Sequence, residues 1–170
     1  AGELLEFEVT YYVIIVPYNA NGDAEGCVEK SFTTRANPNQ IVICDDGAVN
    51  TAYCYENDDT TEFSFQSSDG LSLTIVFNSG STEVNFDEVY VVDSDGTVLN
   101  PNLTYGNQGD FTGLTYTSSG DSLTVRFDSD FSVGCSTGSA CCATEFEFDV
   151  FCTSSVGFIQ VNAFVDANAN

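Results

Sequence analysis

Carboxylates are the groups in this sequence with the greatest capacity for chemistry. The 170-residue chain holds 26 aspartates and glutamates against three lysines and arginines (Lys30, Arg35 and Arg126), for a formal charge of −23 at pH 7. Near its end, Asp166, Asn168 and Asn170 have the spacing that opens a D-x-N-x-N calcium loop, whose hard oxygens suit a divalent cation. Only three side-chain ligands of that loop are in hand, and a polar turn is the competing reading. Paired carboxylates can also serve glycoside hydrolysis, yet a chain this acidic offers so many pairs that finding one carries little information. Histidine is absent. That removes Ser-His-Asp and Cys-His nucleophile systems, and every His-ligated zinc or haem site. The strongly negative surface repels phosphate backbones and anionic lipid, and it attracts divalent cations.

Seven cysteines form the second reactive set: Cys27, Cys44, Cys54, Cys135, Cys141, Cys142 and Cys152. No C-x-x-C spacing occurs among them, so a zinc site is disfavoured and an oxidising, extracellular setting with disulfides is expected. Cys44 with Cys54 would close a short loop. Cys135 and the adjacent Cys141 and Cys142 would share bonds with each other and with Cys152. The odd count leaves Cys27 over, because it sits in a separate segment. A redox role for Cys141-Cys142 is the alternative to a structural cluster.

The elements that must position these groups are strands. Apolar residues alternate with period two at Tyr12, Ile14, Val16 and Tyr18, at Leu71, Leu73, Ile75 and Phe77, at Leu123, Val125 and Phe127, and at Phe146, Phe148, Val150 and Cys152. Phe86, Glu88, Tyr90 and Val92 mix faces, as in a strand covered on both sides. Turn signals separate the runs at Asn21-Gly22, Asp69-Gly70, Asp95-Gly96, Gly109-Asp110 and Gly120-Asp121. The pattern predicts an all-β protein, an antiparallel β-sandwich. Tyr53, Tyr55, Tyr105, Phe111 and Tyr116 lie near turns, where they would stack on sugar rings or cover an end of the sandwich. No apolar run approaches the ~18 residues of a membrane span, and the first residues read as strand with no secretory leader.

Residues 1–35 contain Tyr12-x-Ile14-x-Val16-x-Tyr18-Asn19-x-x-Gly22, which resembles the penultimate strand of a fibronectin type III domain, with Val28 to Thr34 as its last strand. Residues 36–42, with Pro38, read as a linker. Residues 43–152 resemble a CUB-like sandwich of jelly-roll type. The resemblance lies in Phe86-Asp87-Glu88-Val89-Tyr90-Val91-Val92-Asp93-x-Asp95-Gly96, in Tyr105-Gly106, and in Ser122-Leu123-Thr124-Val125-Arg126-Phe127-x-Ser129-Asp130-x-Ser132. The stretches Cys54 to Thr61 and Tyr105 to Leu114 are similar to modules of large surface and secreted proteins of marine Bacteroidota. The resemblance implies a calcium site at one end of the sandwich, built from Glu83, Asp87 and Asp130 with Ser132 nearby. The cysteine layout and the short loop before Asp87 depart from the usual CUB pattern. Residues 153–170 read as the first strand of a following module, ending in the Asp166, Asn168, Asn170 stretch. Thr60 and Ser122 follow aspartates in the pattern of the O-glycan acceptor of that phylum, and Asn102-Leu103-Thr104 is a formal N-glycan sequon.

The expectation is therefore a non-enzymatic structural or adhesive segment of a large extracellular multidomain protein, an adhesin or stalk at the cell surface, with partial β modules flanking one complete sandwich. Calcium is the expected cofactor. Expected partners are neighbouring modules or adjacent filament subunits, and a glycan or surface, with no nucleic acid and no membrane insertion. The alternatives are a carbohydrate-binding accessory module of a secreted hydrolase and a self-assembling filament subunit that exchanges strands.

Overall fold

The computed structural model describes residues 5–7, 9–20, 22–34, 37–101, 106–137 and 142–153. Asp166, Asn168, Asn170, Cys141, Tyr105, the Asn102 sequon and the run after residue 153 lie outside these. In chain order the strands are β1 (Thr10–Val13), β2 (Tyr18–Asn19), β3 (Gly22–Asp23), β4 (Lys30–Thr33), β5 (Asn39–Val42), β6 (Val49–Tyr53) and β7 (Glu62–Ser67). They continue with β8 (Leu73–Ser81), β9 (Glu88–Asp93), β10 (Thr115–Thr117), β11 (Ser122–Asp128) and β12 (Thr144–Cys152), with one turn of 3₁₀ helix at Cys135–Thr137. No helix among the described residues is long and apolar enough to cross a membrane.

The fold is a β-sandwich. One four-stranded sheet has the order β10-β8-β12-β6 and the other β5-β7-β11-β9. Period-two alternation sends one side chain in two into the space between them. Leu73, Ile75 and Phe77 of β8 and Phe146, Phe148 and Val150 of β12 meet Phe63 and Phe65 of β7, Leu123, Val125 and Phe127 of β11, and Val89 and Val91 of β9, all buried. Rings dominate this core. Phe146 lies within ring-contact distance of Tyr55, Phe77, Phe111 and Phe127, at 5.1–6.1 Å between centroids. Edge-to-face pairs of this kind add about 0.5–1.5 kcal/mol each beyond area burial.

Residues 5–34 stand outside this core. Here β1 pairs with β4, and β2 with β3, as two separate two-stranded sheets. Thr10 and Thr33 join across the first through their hydroxyls (2.8 Å), and the Tyr11 and Phe32 rings stack at 5.8 Å. Most of the segment's large apolar side chains remain exposed.

Several expectations need correction. The residues read as a linker form β5 from Asn39, and Val42 is fully buried in the core. β5 pairs with β7 in parallel, so the second sheet is mixed. β9 is an edge strand with one buried face, and its outward Tyr90 carries the Arg126 guanidinium 4.6 Å above the ring. Tyr55 and Phe111, read as loop aromatics, are buried core rings, while Tyr53 and Tyr116 are half-buried against the core.

A carboxylate cluster at one pole of the sandwich

Strand ends decide which loops meet. β6 and β11 end, β7, β9 and β12 begin, and β8 ends at the same pole, because the antiparallel registers set Asp128 opposite Glu88 and Phe146 opposite Tyr53. This pole collects the loops that carry Glu83, Asp87 and Asp130.

Asp87 is fully buried and anchored through both oxygens. The Tyr55 hydroxyl donates to Oδ2 at 2.8 Å, and the Asp130 backbone N–H donates to Oδ1 at 3.0 Å. Asp130 in turn accepts from the Ser132 N–H at 2.8 Å and from its hydroxyl at 3.2 Å, both at Oδ1. Glu83 opens a turn whose carbonyl accepts the N–H groups of Phe86 and Asp87. The Glu83 carboxyl is held above its ordinary range by partial burial, then by the negative charges of Asp87 and Asp130. The Tyr55 hydroxyl is also pushed up, first by burial and then by its hydrogen bond to Asp87 and that residue's charge. The structure thus brings Glu83, Asp87, Asp130 and Ser132 into one neighbourhood. Tyr55 belongs to the same network, and sequence reading missed that role.

Among the described residues no three Asp, Glu or Cys side chains already converge as a metal cage. The donor chemistry suits calcium, since each Asp87 oxygen retains a second lone pair and Asp130 takes both of its bonds from Ser132 at Oδ1.

A further carboxylate at this pole, Asp59, was also missed. It is nearly buried beneath an open groove of ≈ 820 Å³ that also borders Thr33, Tyr53, Asp58 and Glu145. The Tyr53 hydroxyl donates to its Oδ2 at 2.6 Å, the Glu56 N–H to the same oxygen at 3.1 Å, and the Thr61 N–H to Oδ1 at 2.8 Å. Burial alone would raise this carboxyl, but the donors from Tyr53, Thr61 and Glu56 outweigh it and hold the group below its ordinary range. A depressed carboxyl stabilises the fold above its unfolded pKa, and that contribution is lost as pH falls through the folded value. Asp59→Asn turns an amide N–H toward donors, so about 1–3 kcal/mol of stability should be lost at pH 7. The gap from the native protein should narrow on acidification below the ordinary carboxylate range. Urea melts across pH check both; a gap constant with pH would contradict the assignment.

Disulfides tie this pole and the opposite one. Cys54 bonds Cys135, and Cys44 bonds Cys152. The expected Cys44–Cys54 loop closure is therefore wrong, as is a Cys135–Cys152 link: each cysteine bonds across the two sheets at its own pole, whatever its nearness in sequence. Cys142 is disulfide-bonded as well, while Cys27 keeps a free thiol. Thr60 is exposed and Ser122 half-buried at the start of β11.

Gly134-Cys135-Ser136-Thr137-Gly138 has the G-x-S-x-G spacing of a nucleophile elbow, so the expectation that the sequence holds no such spacing is wrong. Its central residues form a 3₁₀ turn with Cys135 in a disulfide. An elbow needs a strand-to-helix turn and a base.

No family model matches the sequence, and no curated protein does. Solved structures with a similar course of chain include the full extracellular region of zebrafish Gpr126/Adgrg6, at 17% identity and a TM-score of 0.45. That likeness covers 69% of this chain and 15% of the other.

Proposed function

We propose that this chain is a non-enzymatic structural or adhesive segment of an extracellular multidomain protein, with a calcium-binding pole on its complete sandwich. The observation that carries this reading is the contrast along the chain. Residues 37–153 build a closed core with two inter-sheet disulfides, and the segment before it is a pair of small open sheets with apolar faces in solvent. A two-stranded sheet is marginal alone, so the segment has the character of one side of a further module. Disulfides of this kind persist in oxidising compartments. The encoding reading frame, followed outward from both ends, tests the multidomain reading. Further β modules on either side would support it. A frame that opens with a leader just before Ala1 and closes just after Asn170 would overturn it.

Calcium would be held by Asp87, Asp130 and Glu83, with Ser132 as a further oxygen donor. Its charge would offset the repulsion from Asp87 and Asp130 that adds to burial in raising Glu83. At a calcium concentration a hundred times Kd, binding to the folded state alone adds about 2.7 kcal/mol. Calcium should therefore raise the melting temperature, chelator should reverse the shift, and Asp130→Asn should abolish the response relative to its own metal-free melt. No heat on calcium titration, with a melt indifferent to chelator, would remove calcium from this reading.

The second reading, a sugar-binding accessory module, loses two of the five rings it would use. Tyr55 and Phe111 have their faces in the core and none to offer a sugar ring.

A further inference from the structure

We propose that the neutral run 156–165 of one copy of this chain adds as a strand to the open β1 edge of a second copy, joining copies head to tail. The proposal names a self-partner for the segment described above and rests on reading that segment as an incomplete β module.

The acceptor is unusual for an exposed element. Ten of the fifteen large apolar side chains exposed among the described residues fall between Leu5 and Phe32. Ile15 is 77% exposed, Tyr18 84% and Tyr12 68%. β1 has β4 on one side and no described strand on the other. Among the described residues the outer edge of β1 has no strand partner and lies beside apolar side chains, the kind of surface that strand addition uses. Residues 9–22, which include β1, carry no charge.

The donor is read from the sequence. Val156-Gly157-Phe158-Ile159-Gln160-Val161-Asn162-Ala163-Phe164-Val165 also carries no charge, and Ile159, Val161, Ala163 and Val165 alternate with Phe158, Gln160, Asn162 and Phe164. In a chain of charge −23, pairing two neutral strands avoids the like-charge repulsion that most other pairings of its surface would meet.

Polarity favours a second copy over the chain's own tail. The segment before the sandwich reaches the pole where β12 begins: Thr33 and Thr34 border the same groove as Tyr53 and Glu145. Cys152 ends β12 at the opposite pole, where the Thr153 N–H bonds the Ser72 carbonyl. The nine residues of β12 put roughly 30 Å between the two. Residues 153–155, which lead into the neutral run, span about 10 Å when extended. The run therefore starts well away from its own β1 and is placed to meet another.

The test uses the full chain with Cys27→Ser, so that chance thiol bridging does not mimic assembly. Sedimentation should show species at multiples of the chain mass that grow with concentration. Ile159→Lys with Val161→Lys should return the chain to a monomer with an unchanged melt of the sandwich. A peptide of residues 154–165, added in excess to unsubstituted chain, should also shrink the assemblies, while a peptide of scrambled order should not. Pairing Ile14→Cys on one copy with Val161→Cys on another should give a cross-linked dimer under mild oxidation. A chain that stays monomeric up to millimolar concentration overturns the proposal. So does assembly that survives both lysine substitutions, which would mean that β1 edges pair with each other. Neither outcome touches the calcium response or the reading frame, so failure here is distinguishable from failure of the module reading.

Discussion

Replacing Cys44 and Cys152 together by serine is expected to lower stability by about 4 kcal/mol, among the largest losses any change to this chain should produce. The two residues are 108 apart in sequence. In the chain-entropy model, a cross-link over such a span removes about 4–5 kcal/mol of freedom from the unfolded chain. Its position adds to the effect. Cys44 follows β5 in one sheet and Cys152 closes β12 in the other, so the bond clamps the sandwich at the pole away from the carboxylates. Val42, two residues before Cys44, is fully buried and depends on that clamp to stay seated, since β5 is a four-residue strand at the sheet edge. Cys54–Cys135 closes a span of 81 residues nested inside the first. The two losses should therefore fall short of additive, because the inner bond restricts a chain already restricted by the outer one. Against a total of about 5–15 kcal/mol for an ordinary domain, loss of the outer bond alone leaves little margin. Guanidinium melts of the double serine variant, with the native protein in matched buffer, measure it directly. A loss under about 1 kcal/mol would mean that the unfolded chain is held compact by other means.

The two sheets were legible where one face is buried and the other wet. Leu123, Val125 and Phe127 alternate with Thr124 and Arg126, and that alternation is the direct imprint of a strand with one face in the core. β5 left no such imprint. It is short, follows Pro38, and of its four residues only Val42 is buried, so its sequence reads as a connection. Disulfide partners were illegible for a different reason. Nearness along the chain favours Cys44 with Cys54, but β6 runs between them and carries them to opposite poles. The carboxylate cluster was half legible: its residues were reached through a family likeness, while the reason they meet is the register that sets Asp128 opposite Glu88. Tyr55 and Asp59 escaped because their roles depend on burial. A tyrosine near an acidic turn looks like surface until the strands place it under that turn. The signal that could have found Asp59 is local, an aspartate two residues before a threonine whose N–H it accepts.

Gly80→Ala is expected to be comparably damaging, although it adds a single methyl group. Gly80 lies near the end of β8 with φ at +135°, a backbone conformation that side-chain-bearing residues rarely adopt. A Cβ there would sit 2.4 Å from Phe146 Cδ1 and 2.6 Å from its Cγ, well inside contact distance. Phe146 has nowhere to go. It is fully buried, and the rings of Tyr55, Phe77, Phe111 and Phe127 surround it. Its strand is irregular at this point, where β12 shifts register against β8 between Thr144 and Phe148. The glycine thus permits the ring to lie over the backbone at the bulge. Overpacking costs about 1–3 kcal/mol, and an alanine forced into that φ costs about 1–3 kcal/mol more, so roughly 4 kcal/mol should be lost in all. Phe146→Ala alone should cost about 3–5 kcal/mol through the cavity it leaves. The two changes share one space, so they should not add: the double variant should recover the steric part of the Gly80 loss and keep the backbone part. A double-mutant cycle by urea denaturation separates the two. Full additivity would show that the ring and the glycine are not in contact, and would move the origin of the Gly80 effect wholly to its backbone.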